Sequence, residues 1–272
     1  MEKTFAPAKI ILSGEYAVVR GYPGIAIPYS RGITVTYEEN LGRPDLCINW
    51  PNVDIKWIEY TQRIIDICKK ENEHIFGKLT ISSLSPLGKG MGSSTALIIS
   101  ICKCLLGDDC MNTAKNIEDE LSPGNSGIDF EVIWNNRPVL FQKGKEILFI
   151  NLPNLDDVIL IDTGMPSETT AQLVAWMETQ DKEDALKEIG KCTERISKYE
   201  DINTVIKDHH KAQVKLEVVP KKVQEFISEI EELGGAAKVI GAGGKTKGGG
   251  IVLVKKIKED SIPISNYSYS II

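Results

Sequence analysis

Short apolar-alternating runs open this chain, and helical periods take over towards its end. Thr4 to Ser13, Gly24 to Tyr29 and Gly32 to Glu38 read as strands. Ile55, Ile58, Ile64, Ile65 and Cys68 then recur at an approximate helical period and predict an amphipathic helix over Asp54 to Glu71, followed by a strand over Lys78 to Leu84. An almost wholly apolar run from Ser94 to Leu106, stopped by Gly107-Asp108-Asp109, predicts a buried helix, and Asn112 to Leu121 a second one. Strands follow at Pro138 to Gln142, Glu146 to Asn151 and Asp157 to Asp162. After Gly164 come four helical segments: Ser167 to Thr179, Lys182 to Lys198, Ile202 to Lys215 and Pro220 to Leu233. Gly234-Gly235 ends the last of them, and a strand, a glycine loop and a strand around Val239 and Val254 follow.

Strands and helices are grouped instead of strictly alternating, which predicts an α+β architecture. The 272 residues are 42% apolar, enough for one large or two modest cores, and a boundary is expected between Gly144 and Asp157, dividing the chain into 1–150 and 151–272. No internal repeat or low-complexity tract interrupts it. The net charge is −6 and lysines are interspersed with glutamates, as in Lys182 to Lys198, so no basic face for nucleic acid is expected. The longest apolar stretch, around Ala96 to Ile101, is broken by Lys103, and Met1-Glu2-Lys3-Thr4 leads straight into a strand. Neither a membrane span nor a signal peptide is expected, and the location expected is the cytosol.

Six cysteines (Cys47, Cys68, Cys102, Cys104, Cys110, Cys192) show no paired Cys-x-x-Cys spacing and read as buried reduced thiols. Three histidines (His74, His209, His210) form no zinc pattern, and His209 and His210, on a polar helical segment, read as solvated.

Candidate chemistry concentrates in three places. Ser85-Pro86-Leu87-Gly88-Lys89-Gly90-Met91-Gly92-Ser93-Ser94-Thr95-Ala96 joins a small-residue loop to the start of the apolar helix. Glycines there admit close backbone approach and positive φ, and the free N–H groups of the first helical turn suit an anion. Ala6-Pro7-Ala8-Lys9-Ile10-Ile11-Leu12-Ser13-Gly14-Glu15-Tyr16 places a lone lysine in an apolar strand ahead of a glycine turn with a carboxylate. Lys238-Val239-Ile240-Gly241-Ala242-Gly243-Gly244-Lys245-Thr246-Lys247-Gly248-Gly249-Gly250-Ile251 sets a glycine loop between two strands. Gly244-Lys245-Thr246 invites a Walker A reading, but Val239 stands where the first glycine should be and a strand follows in place of a helix.

These three motifs, in this order, resemble those of the GHMP kinases, and within that superfamily the mevalonate kinase family. Ser122-Pro123-Gly124-Asn125-Ser126-Gly127-Ile128-Asp129, Ile161-Asp162-Thr163-Gly164 and Gly14-Glu15-Tyr16-Ala17-Val18-Val19 are similar to segments of the latter. The resemblance implies a two-domain fold, an N-terminal domain like domain 2 of ribosomal protein S5 and a ferredoxin-like C-terminal domain. It implies phosphoryl transfer from ATP, with Mg2+, to a small mevalonate-like alcohol, and a homodimer as the family habit. Pro86, Gly88, Lys89, Gly90, Met91, Gly92, Ser93, Ser94 and Thr95 would bind ATP. Ser94 and Glu118 would hold the magnesium ion, Asp129 would be the general base and Lys9 its cationic partner beside the hydroxyl. Glu15, Tyr16, Thr163, Gly241, Ala242 and Gly243 would face the acceptor.

Bland alternatives stand beside several of these. Glu118 belongs to an acidic helix end, Glu118-Asp119-Glu120; Lys9 and Asp129 could be a buried ion pair; Ser167 reads as a helix cap; and Lys245-Thr246-Lys247, inserted between glycines, reads as an exposed turn more than a phosphate contact. Tyr16 stands where mevalonate kinases usually carry histidine; Gly-Glu-Tyr is more typical of phosphomevalonate kinases. The acceptor is therefore open between mevalonate, phosphomevalonate and a sugar, and a nucleotide-binding module without catalysis is a further alternative.

Overall fold

A computed structural model of the chain describes residues 1–40, 42, 45–152, 155 and 157–272. Residues 153, 154 and 156, within the expected boundary region, lie outside the described ones. The chain packs into two compact units, and neither is one continuous stretch. The first contains Met1–Lys9, Pro28–Leu87 and Gly92–Asn136; the second contains Ile10–Ile27, Gly88–Met91 and Arg137–Ile272.

The first strand, β1 (Glu2–Ser13), pairs with β2 (Gly24–Glu39). In the first unit β2 also pairs antiparallel with β4 (Gly77–Ser83), from Ile33 opposite Ser83 to Glu39 opposite Gly77, and β4 pairs parallel with β3 (Leu46–Asn49). Gly24 to Tyr29 and Gly32 to Glu38, expected as separate strands, are therefore one strand. Gly32 serves close packing here, because a Cβ would collide with the backbone of Ala6 and Pro7. Four helices complete the unit: α1 (Ile55–Glu71), capped by Asp54, α2 (Ser93–Leu106), α3 (Met111–Leu121) and α4 (Ile128–Asn135). α2 packs against the other three and is buried along most of its length, which is why its sequence is apolar all round. α4 and β3 were not expected from the pattern. Each is too short to show a period, and α4 is bounded by left-handed residues, Gly127 and Asn136.

The second unit holds an antiparallel sheet in the order β10 (Ser270–Ile271), β7 (Ile159–Asp162), β9 (Ile251–Lys255), β8 (Ala236–Ile240). Helices α5 (Thr170–Glu178), α6 (Glu183–Ser197), α7 (Ile202–Lys215) and α8 (Lys221–Glu232) belong to it, with α7 and α8 packed on β8. The first residues of β2 pair with β5 (Val139–Phe141), which pairs with β6 (Leu148–Phe149). Phe226, Ile227, Ile230, Val239, Val252 and Val254 form part of one core cluster under this sheet.

Three expectations are corrected. Thr169, not Ser167, caps α5 through a reciprocal bond with Gln172; the Ser167 hydroxyl meets that of Thr246 instead. His209 and His210 are buried, because Val205, Ile206, His209, Ala212 and Gln213 share the face of α7 turned inward. Cys47 is exposed, at the edge-strand position of β3, whereas the other five thiols are buried and all six are free.

Candidate active site

The loop that leads into α2 takes its shape from glycine. Gly88, Gly90 and Gly92 have φ of 71°, 84° and 74°, a region that side chains avoid. Gly92 begins α2 and offers its first-turn amides no side-chain cap. A Cβ on Gly92 would lie 2.9 Å from Cγ of Lys9, so this glycine makes room for the lysine stem. The Ser93 hydroxyl donates to the Pro86 carbonyl at 3.1 Å and closes the loop on itself, and Ser94 is half-buried in the first turn of α2. Met91 is wholly buried, leaving its backbone as the part a nucleotide could meet.

Lys9 Nζ lies 3.0 Å from Asp129 Oδ1. The lysine comes from the middle of β1 and the aspartate from the first turn of α4, where a helix N-terminus favours negative charge. Exposure separates the partners: the lysine side chain is 3% exposed and the aspartate 31%, so the cation is enclosed and the carboxylate is open to a reactant.

Glu118, on α3, is buried and accepts a hydrogen bond from the Thr95 hydroxyl at 2.5 Å. Burial pushes its carboxyl up to about 7; the Thr95 bond opposes the rise and the charge of Asp129 adds to it. Sequence reasoning paired Glu118 with Ser94, and the hydroxyl that touches it belongs to the next residue. Ala114, Ile117 and Glu118 lie on the buried side of α3, a spacing that would have set Glu118 apart from its acidic neighbours. A buried carboxylate short of positive charge, bonded to a hydroxyl in the first turn of α2, has the chemistry of a magnesium ligand. Among the described residues no three or more His, Cys, Asp or Glu converge on one point, so such an ion would need phosphate oxygens and water to complete its shell.

In the second unit Lys89 is ion-paired with Asp162, whose Oδ1 also accepts the Gly164 N–H at 2.9 Å. The Thr163 hydroxyl donates to the Gly250 carbonyl at 2.9 Å and accepts the Gly249 N–H at 3.1 Å, so it braces the glycine loop between β8 and β9. Gly241 and Gly243, with φ of 74° and 68°, are buried, and Ala242 between them is half-buried. A Cβ on Gly241 would come within 2.8 Å of Gly90 Cα, so the two glycine loops touch backbone to backbone. Lys245, Thr246 and Lys247 are exposed. Glu168 accepts the Lys245 N–H at 3.1 Å, and Lys245 Nζ stands 3.8 Å from the centre of the Trp176 ring.

Glu15 and Tyr16 are both buried. Glu15 is ion-paired with Lys238 of β8, and its other oxygen lies 3.0 Å from Nε2 of His209 on α7, without hydrogen-bond alignment. Burial pushes the Glu15 carboxyl up, but Lys238 and His209 more than offset this and hold it at about 2. Burial and Lys238 push the His209 imidazole down, towards its neutral form. The Tyr16 hydroxyl donates to the Ala242 carbonyl at 2.5 Å. Sequence reasoning missed Lys238 and His209. The signal that exposed Lys9, a lone lysine within an apolar strand, is repeated in Ala237-Lys238-Val239-Ile240.

No family model matches the chain. A mevalonate kinase of Thermococcus gammatolerans is 26% identical over 288 aligned positions, covering 88% of this chain and 85% of that protein. The crystal structure of the Methanococcus jannaschii mevalonate kinase superposes with a TM-score of 0.84 at 21% identity, covering 99% of this chain and 96% of that one. That of the L. major mevalonate kinase in complex with R-mevalonate gives 0.76 at 18%, covering 96% and 88%. The chain shares the mixed helix-and-sheet fold of these kinases. It is similar in sequence and fold to the mevalonate kinases along nearly its whole length.

Proposed function

We propose that this chain transfers the terminal phosphoryl group of ATP to the primary hydroxyl of mevalonate, giving 5-phosphomevalonate. Asp129 accepts the hydroxyl proton as the alcohol oxygen bonds to phosphorus and the bond to the ADP oxygen breaks. Lys9, enclosed and 3.0 Å from that carboxylate, favours the developing alkoxide. Gly88 to Thr95 hold the phosphates through loop amides and the start of α2. Glu118, with hydroxyls of Ser94 and Thr95, would hold Mg2+, which supplies charge neutralisation on the phosphate oxygens when bound. Tyr16 and the Gly241 to Gly243 loop recognise the alcohol, Glu15 and Thr163 supporting them from behind. The assignment of mevalonate rests on the relatives at about 25% identity.

One observation carries the mechanism: an enclosed ammonium beside a carboxylate that is one-third exposed. Purified protein, ATP and Mg2+ with mevalonate, phosphomevalonate and galactose as separate acceptors tests it. ADP release dependent on mevalonate is expected. Turnover of another alcohol with none of mevalonate would reassign the substrate, and ATP binding without acceptor-dependent turnover would favour a non-catalytic module.

A further inference from the structure

Three ionisable side chains of the second unit take no direct part in the transfer, and all are sealed from water: Glu15 is 2% exposed, Lys238 0% and His209 1%. Sealing charges in this way is costly, and where it persists the arrangement fixes something. What it fixes lies one residue away. Tyr16 follows Glu15 with φ of 62°, a left-handed backbone that a tyrosine holds only when its surroundings enforce it. Its hydroxyl reaches Ala242, four residues beyond Lys238 along β8 and the glycine loop. Lys238 also donates to the Ile11 carbonyl of β1 at 3.0 Å. The turn after β1 and the loop after β8 are thus fastened twice, by a buried ion pair and by the Tyr16–Ala242 hydrogen bond.

We propose that Lys238 and His209 are positioning residues for the acceptor alcohol, acting through Glu15 on the Tyr16–Ala242 contact. This rests on the reading of Tyr16 and the glycine loop as the acceptor side. It also specifies what the tyrosine recognises. The Tyr16 hydroxyl has one proton, committed to the Ala242 carbonyl at 2.5 Å, and burial beside Glu15 and Glu168 opposes its loss. Only its lone pairs remain, so the group it meets must donate: a substrate hydroxyl, and neither a carboxylate nor a phosphate dianion.

Steady-state kinetics of Lys238→Met, His209→Asn, Tyr16→Phe and the double variant K238M/Y16F, each varied in mevalonate and in ATP, test the proposal. Lys238→Met should raise the KM for mevalonate by about tenfold, equivalent to about 1.4 kcal/mol, with the KM for ATP within about twofold. His209→Asn should act in the same sense and less. The double variant should be no worse than Lys238→Met alone, because both substitutions break one path. A pH profile supplies a signature that general destabilisation does not. The titratable groups around Glu15 are Lys238 on β8, His209 and His210 on α7, Tyr16 beside it, and Cys192 on α6 facing Lys238. Without the lysine, Glu15 is a buried carboxyl lacking its main counter-charge, so the KM for mevalonate should become pH-dependent on the acid side, and adding Glu15→Gln should remove that dependence. Should Lys238→Met not fold, His209→Asn and Tyr16→Phe carry the comparison of the two KM values. An unchanged KM for mevalonate, equal rises for both substrates, or additive effects in the double variant would each overturn the proposal. Wild-type protein that does not turn over mevalonate would instead remove the functional reading, which keeps the two failures apart.

Discussion

Two lysine–carboxylate pairs in this molecule share a sequence signature and differ in what they leave open to water. Lys9–Asp129 and Lys238–Glu15 each begin from a lone lysine inside an apolar strand, and in each the lysine is enclosed. Asp129 is 31% exposed, at the start of a helix, whereas Glu15 is 2% exposed and gripped from two sides. A carboxylate that is to take a proton from a substrate must be reachable, and one that is to hold a turn must not be. On the proposed mechanism, the exposure of the acid, more than the presence of the pair, separates chemistry from scaffolding.

The largest expected effect strikes that distinction directly. Asp129→Asn should lower kcat by roughly 10² to 10⁴-fold, the usual worth of a positioned general base, with ATP affinity close to wild type and a modest fall in melting temperature, because Lys9 stays enclosed while its partner's site is open to water. Glu15→Gln should change kcat far less and lower the melting temperature more, because it leaves Lys238 sealed without its anion. Turnover assays and thermal unfolding on the two variants decide it: if Asp129→Asn keeps wild-type kcat, the open pair is scaffolding too and the contrast collapses.

Glu118 sharpens the contrast from a third direction, as a buried carboxylate whose partner is a hydroxyl. Its carboxyl lies at about 7 in the fold against 4.5 ordinarily, so between these two pH values the folded chain binds more protons than the unfolded one. Its contribution to stability is therefore fully present below pH 4.5 and is lost as pH rises through about 7. Glu118→Gln should stabilise the metal-free protein at pH 8, by on the order of 3 kcal/mol at most, with the gain fading towards pH 4.5. Mg2+ with ATP should raise the melting temperature of the wild type more than that of the variant. Equal shifts would take Glu118 out of the proposed metal site.

Much of this was legible in the sequence wherever a residue contradicted its surroundings. Lys9 and Asp129 stood out as charges among apolar neighbours, the Gly88 to Gly92 loop as glycines ahead of an apolar helix, and the false Walker motif as one followed by a strand. What escaped depended on which side of a helix faces inward. His209 and His210 read as solvated because their segment is polar, yet α7 packs on β8 through the face that carries them. The single strand across Gly24 to Glu39 escaped because Gly32 looks like a break until the backbone of Ala6 and Pro7 is seen beside it. Ser167 and Thr169 are equally good caps by type, and only the Gln172 side chain, three residues after Thr169, chooses between them.

A smaller effect tests whether the glycine loops matter to the nucleotide as well as to the alcohol. Gly241→Ala would place a methyl 2.8 Å from Gly90 Cα at φ of 74°, strain that neither backbone can relieve by a rotamer change. A loss of about 1–3 kcal/mol of stability is expected, with a raised KM for ATP because Gly90 lies in the loop proposed to hold the phosphates. Unfolding and ATP kinetics that both match wild type would mean that the loops move apart freely.

The smallest effect comes from the pair that lies between the two extremes. Lys89 and Asp162 are 20% and 19% exposed, neither sealed nor open, and their ion pair should contribute less than about 1 kcal/mol to stability. Lys89 nevertheless sits between Gly88 and Gly90, where phosphate is expected, so a nucleotide and Asp162 compete for one ammonium. The competition gives the two variants opposite signs. Lys89→Met should raise the KM for ATP severalfold, and Asp162→Asn, by releasing the lysine, should lower it, both effects shrinking as salt screens the charges. If Asp162 held Lys89 in its working position instead, both substitutions would raise the KM, and this pair would belong with Lys238–Glu15 as scaffolding.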